Sequence, residues 1–154
     1  MKYGLIIKKS TIPGAGQGLF TTRDIPKDSW VCPYVGEAMS MTRVHRLYPG
    51  DMTAPYVLQN PGPEKIAADC SVVRGIGSLA NAHFNKNGTV AALSRHNCFF
   101  RFRPVGGGEP GMWLKSSKLI RRGQELFNWY GSEYMLQDNH ETLRLANALD
   151  TRPR

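Results

Sequence analysis

The stretch "GAGQGLFTTRDIPKDSWVCPYVGE", residues 14–37, places three glycines (Gly14, Gly16, Gly18) within five positions and then enters an apolar run. Glycine loses the most conformational freedom on folding, so it is kept where φ is positive or where something must lie close to the backbone. Either the chain turns tightly here or a partner sits against bare main chain. Beyond the glycines the pattern is strand, polar step with Ile25, basic turn, and a second strand at 30–35. A fainter copy of that pattern runs through "MWLKSSKLIRRGQEL", residues 112–126.

Short apolar runs split by Gly and Pro recur along the chain, and they read as strands. The expected strands are 5–8, 18–21, 30–35, 56–59, 89–93, 98–103, 112–115 and 125–127, with "VGGGEPG" (105–111) as a hairpin loop. Helical patterns are confined to 42–47 and 133–149. Many strands with few short helices predict a mostly β fold. At 154 residues the chain is long enough for one domain with a real core.

Cys32, Cys70 and Cys98 are scattered and form no C-x-x-C pair. That argues against a zinc site or a disulfide framework and for a reducing, intracellular setting. No apolar run approaches ~18 residues, so no membrane span is expected. The net charge of +8 favours acidic partners, but the basic residues are dispersed over Lys8-Lys9, 101–103 and 115–122. Nucleic-acid contact is therefore expected only through a basic surface. No G-x-S-x-G, H-E-x-x-H, Walker loop or Cys/His cluster is present.

Residues 14–37, "IAADCSVVRGIGSLANAHFNKN" (66–87) and "LIRRGQELFNWYGSEY" (119–134), taken in this order and spacing, resemble the SET domain of protein lysine methyltransferases. The likeness runs from about residue 4 to residue 134. The Trp-Tyr-Gly ending resembles the PR-type branch, where common SET domains have Asp-Tyr. The resemblance implies a β-clip-like fold with a C-terminal pseudoknot. It also implies S-adenosylmethionine as methyl donor, with S-adenosylhomocysteine as product, and no metal. A SET domain is expected over 1–135, and 136–154 is expected to close the site as a helical segment in place of a zinc cluster.

Residue by residue, the resemblance places the main chain of Gly16, Gln17 and Gly18 along the cofactor, where a side chain at either glycine would take up its space. Asn81 and Asn87 match the asparagines of the "N-H-S-C-x-P-N" segment that bonds the adenine. Ala82 stands where the family has His, and His83 reads as a packing residue. Tyr134, Met135 or Leu136 is expected over the adenine. Tyr130 ends the "G-E-E-L-x-F/Y-D-Y" signature and is the expected catalytic tyrosine. Tyr34, in "PYVGE", is the second catalytic candidate and a channel wall. Asn128 and Trp129 are expected to line the substrate channel, and Asp69 to be structural. Asn128 is smaller than the family's aromatic residue, which makes room for di- or trimethyl-lysine.

The implied function is protein lysine N-methylation, of a histone tail or another lysine-bearing protein, in the nucleus. The alternative is a SET-like recruitment module that has lost the chemistry, with Ala82 and Asn128 marking the loss. A homodimer is one way for so small a chain to gain specificity.

Overall fold

The computed structural model describes residues 2–49, 57–59, 66–71, 75–86, 89–104 and 111–130. The described strands are β1 (Leu5–Lys9), β2 (Gln17–Thr21), β3 (Trp30–Pro33), β4 (Glu37–Ser40), β5 (Val57–Gln59), β6 (Ile66–Asp69), β7 (Cys98–Arg103), β8 (Gly111–Ser116), β9 (Glu125–Leu126) and β10 (Asn128–Trp129). They form three small sheets in the orders β1-β2-β9, β10-β7-β8-β3 and β4-β6-β5. The mostly β expectation holds. The helix α1 (Met41–Leu47) forms where 42–47 was expected, with the Ser40 hydroxyl accepting the Arg43 N–H at its start.

The main core collects one apolar face from each of the first two sheets. Leu19, Ile25, Leu114, Ile120, Leu126 and Cys98 are fully buried in it. The two similar stretches meet there. Ile25 and Ile120 form a bridge with reciprocal N–H···O bonds of 2.8 and 2.9 Å. On either side of that bridge β3 pairs with β8 and β2 with β9. A smaller core of Met39, Val44 and Ala67 lies under α1.

Residues 125–130 run between β2, which β9 joins antiparallel, and β7, which β10 joins in parallel. Between β9 and β10 the Phe127 carbonyl accepts the N–H groups of both Asn97 and Cys98, so the expected single strand 125–127 is broken there. The same segment bonds residues 80 and 81, giving the C-terminal crossing expected of the fold.

Two further expectations are corrected. Residues 89–93 are not a strand: Val90 makes one bridge to Phe84, and the chain turns into a short 3-10 helix at Leu93–Arg95. The expected strand 30–35 ends at Pro33, and after Tyr34-Val35-Gly36 the chain enters β4, a strand that was not expected, because β6 supplies its partners from Glu37↔Asp69 to Ser40↔Ile66. Tyr56 and residues 105–110 and 131–154 lie outside the described residues, and so does the expected helix 133–149.

Candidate active site

The glycine stretch is a turn with one open side. Ser10 N–H closes it on the Gly16 carbonyl at 2.9 Å, and Gly14 and Gly16 have φ of +79° and +71°. Only glycine adopts that region freely. No described atom lies within 4 Å of where a side chain on Gly16 would point. Gly18 behaves differently. A Cβ there would run into the Glu125 carboxylate, with Cδ at 2.8 Å, so the space beside Gly18 belongs to Glu125 and not to a ligand.

Glu125 is 4% exposed. Its carboxylate accepts the Ser10 hydroxyl at 2.6 Å and both the N–H (2.7 Å) and the hydroxyl (2.6 Å) of Thr11. The glycine loop is thus tied to β9, 114 residues further along the chain.

Asn81 joins that loop to the C-terminal crossing. Its side-chain amide donates to the Gln17 carbonyl at 2.8 Å, and its own carbonyl accepts the Asn128 N–H at 2.8 Å. Ala82 beside it is buried. His83 packs its ring on Phe127 at 4.3 Å, and its main-chain N–H donates to His96 Nε2 at 3.0 Å, as a packing residue should. Desolvation holds both imidazoles below the usual histidine range. Asn87 and Tyr134 lie outside the described residues.

The Tyr130 hydroxyl donates to the Ala80 carbonyl at 3.1 Å. A tyrosine hydroxyl that donates its proton can also accept at its oxygen. Tyr34 stands edge-on to Phe100 at 4.8 Å. Burial pushes the Tyr34 hydroxyl well above the usual tyrosine range, and Cys70, Tyr130 and Asp69 push the same way. The hydroxyl therefore stays protonated. The Cys70 thiol, fully buried, donates to the Val35 carbonyl at 3.0 Å. Asp69 is structural: it accepts the Tyr48 hydroxyl and the Ser71 N–H. Burial opposes its charge, yet the bonds from Ser71 and Tyr48 hold its carboxyl below the usual range.

Asn128 is completely buried, and among the described residues neither its amide oxygen nor its amide nitrogen has a hydrogen-bond partner. An unsatisfied buried amide costs about 1–3 kcal/mol. Trp129 does not join this group. Strand side chains alternate, and the register sets Asn128 beside buried Cys98 but Trp129 beside Phe99, on the opposite face. This corrects its expected place in the channel.

The sequence pattern of the SET domain matches residues 16–131. This chain belongs to the SET domain family. None of the curated proteins matches it. Among solved structures, the SET domain is similar to a chain of the Chaetomium thermophilum polycomb repressive complex 2, at 24% identity and a TM-score of 0.66. That match covers 86% of this chain and 16% of the other. A second, described as ctPRC2 in an autoinhibited conformation bound to S-adenosylmethionine, gives 23% identity and a TM-score of 0.66, over 95% of this chain and 17% of that one. The likeness establishes the fold, and this chain spans about one sixth of those neighbours.

The SET domain residues singled out in sequence come together at Gly16, Gln17, Asn81, Ala82, Asn128 and Tyr130, with Tyr34 nearby. Glu125, Cys70 and Phe100 were missed. Glu125 carried a signal, because a carboxylate between a basic turn and an apolar pair is poor strand chemistry unless it is bonded. Cys70 and Phe100 carried none beyond apolar character.

Proposed function

We propose that this SET domain is an S-adenosylmethionine-dependent protein lysine N-methyltransferase. Its proposed substrate is a histone tail or another lysine-bearing protein of the nucleus, with residues 136–154 closing the site. The observation that carries this reading is the convergence of Tyr130, Asn128 and Asn81 beside the glycine loop.

The residues present fit the cofactor. Beside Gly16 the main chain faces a space that a Cβ would enter, and Asn81 pins the adjoining Gln17 carbonyl. Gly16, Gln17, Asn81 and Ala82 would hold it, and what it supplies is an electrophilic methyl on a sulfonium. The chain must present a neutral amine, although a free lysine titrates near pH ~10.4. No strong base is needed if the proton leaves to water before closure and an apolar channel then disfavours the ammonium. Tyr130, whose proton is engaged by Ala80, accepts an amine N–H and fixes the lone pair in line. Tyr34 and Phe100 wall the channel.

Asn128 extends the same logic. Its buried amide oxygen can accept an N–H from the target amine, which ends the cost of leaving it unpaired. The neutral unmethylated amine carries two such hydrogens, one for Tyr130 and one for Asn128, and the monomethylated amine carries one, which either acceptor can take, so two transfers are supported. A neutral dimethylamine carries none, so the third is the slowest. The products are therefore di- and trimethyl-lysine, with dimethyl accumulating first.

Calorimetry with S-adenosylmethionine, followed by mass spectrometry of histone octamer and tail peptides, tests this reading. Asn128→Tyr should shift products toward monomethyl-lysine. Cofactor binding without transfer to any lysine would favour the recruitment module instead. Absence of binding would refute the proposal.

A further inference from the structure

We propose that the outer face of the β10-β7-β8-β3 sheet binds single-stranded nucleic acid. This surface lies outside the methyl-transfer site and does not rest on the reading of that site.

The strands of this sheet turn Cys98, Leu114 and Ser116 into the protein, where all three are fully buried. The alternate residues point outward. The register aligns Trp129, Phe99, Lys115 and Trp30 in one row across the four strands. The next row holds Arg101 and Trp113, and Arg103 follows on β7. All three tryptophans of the chain lie on this face.

Cations and rings are already in contact. The Arg103 guanidinium lies 4.7 Å from the Trp113 ring centroid and 5.7 Å from that of Trp30. Lys115 Nζ is 5.1 Å from Trp30, and Arg101 is 5.3 Å from Phe99. Arg103 Nε is buried with no acceptor among the described residues. Beside them opens a cleft of about 450 Å³, with Lys2, Tyr3, Asp28, Trp30, Arg103 and Trp113 in its wall. Asp28 answers one of these cations, reaching Lys115 at 3.8 Å. Lys2, Arg101 and Arg103 remain in excess, so the face is cationic.

A polyanion matches the charge, and the rings decide which one. Single-stranded nucleic acid offers phosphates to the cations and bases that stack on aromatic side chains, with little sequence preference. An acidic peptide would use the cations and leave the rings idle. A duplex hides its bases and would do the same.

The test uses the full chain with 12-nucleotide oligothymidylate and oligouridylate, a duplex of equal length and a polyglutamate peptide. Binding is followed by anisotropy and by tryptophan fluorescence. The expected result is oligonucleotide binding with Kd on the order of 10⁻⁴–10⁻⁶ M, quenching of tryptophan emission, and a log–log salt slope near −2 for the three cations in excess. Arg101 is exposed, so Arg101→Ala should leave the melting temperature unchanged and reduce the slope by about 0.7. Trp113→Ala should weaken binding by about tenfold. The control pair Lys8→Ala and Lys9→Ala, on β1, should change binding little. Absence of binding, binding without quenching, affinity unaltered by Arg101→Ala, or preference for the duplex or polyglutamate would each overturn the proposal.

Discussion

Gly16 and Gly18 are two residues apart and should respond to alanine for different reasons and by different amounts. At Gly16 the added Cβ enters open space, so the cost is the backbone's: φ of +71° disfavours an L-residue by about 1–2 kcal/mol. At Gly18 the Cβ displaces the Glu125 carboxylate and presses on the Ser10 Cα at 3.3 Å. Three hydrogen bonds to a charged acceptor are disturbed, each worth about 1.5–3 kcal/mol. Part of that returns when the released groups meet water, which leaves a cost of about 4 kcal/mol, or roughly 8–16 °C in melting temperature. Urea denaturation of Gly16→Ala, Gly18→Ala, Glu125→Ala and the double variant Gly18→Ala/Glu125→Ala measures these values. Removing the carboxylate first should make Gly18→Ala nearly harmless, a coupling of about 3 kcal/mol. Cofactor affinity should fall for Gly16→Ala without a matching loss of stability. Equal costs at the two glycines, or additivity of Gly18→Ala with Glu125→Ala, would refute the assignment of that space to Glu125.

Desolvation holds the His96 and His83 imidazoles neutral below the usual histidine range, so the unfolded chain takes up protons first as pH falls. Stability should be full above pH ~6.5 and decline below it by at most about 1.4 kcal/mol per pH unit for each group. Urea melts from pH 7.5 to 5.5 should show this, and His96→Gln should flatten the curve. Burial pushes the Cys32 thiol up to about 12 and raises Cys98 as well, so neither forms the reactive thiolate near pH 8. A thiol reagent should label them only as fast as the chain unfolds. Methyl transfer should persist in a metal chelator; inactivation would reveal a metal that Cys spacing did not predict.

The strands most legible in sequence were those whose own side chains determine them. β2, β3, β7 and β8 carry adjacent β-forming or large apolar residues, Leu19-Phe20, Trp30-Val31, Phe99-Phe100 and Met112-Trp113-Leu114. β4 (EAMS) and β6 (IAAD) lack that chemistry, and each is a strand because the other supplies its ladder. Residues 89–93 have the composition of a strand but no neighbour to extend it beyond one bridge. At the site, Tyr130 and Asn81 were legible because their types sit in a recognisable order. Gly18 was read as a cofactor contact because its neighbour, Glu125, is 107 positions away. The basic–aromatic face was half visible in Phe99-Phe100-Arg101-Phe102-Arg103, and register alone brings Trp30, Trp113 and Trp129 to it.

Methyl transfer by Tyr130→Phe tests the proposed chemistry most directly. The change removes one hydroxyl and its bond to Ala80, at a cost of about 1 kcal/mol, so the protein should remain folded and bind S-adenosylmethionine. Transfer of labelled methyl to lysine in histone octamer should occur with the parent protein and fall by something like 10² with the variant. A variant as active as the parent would remove Tyr130 from the site, and a parent that binds the cofactor yet labels no lysine would contradict the methyltransferase reading.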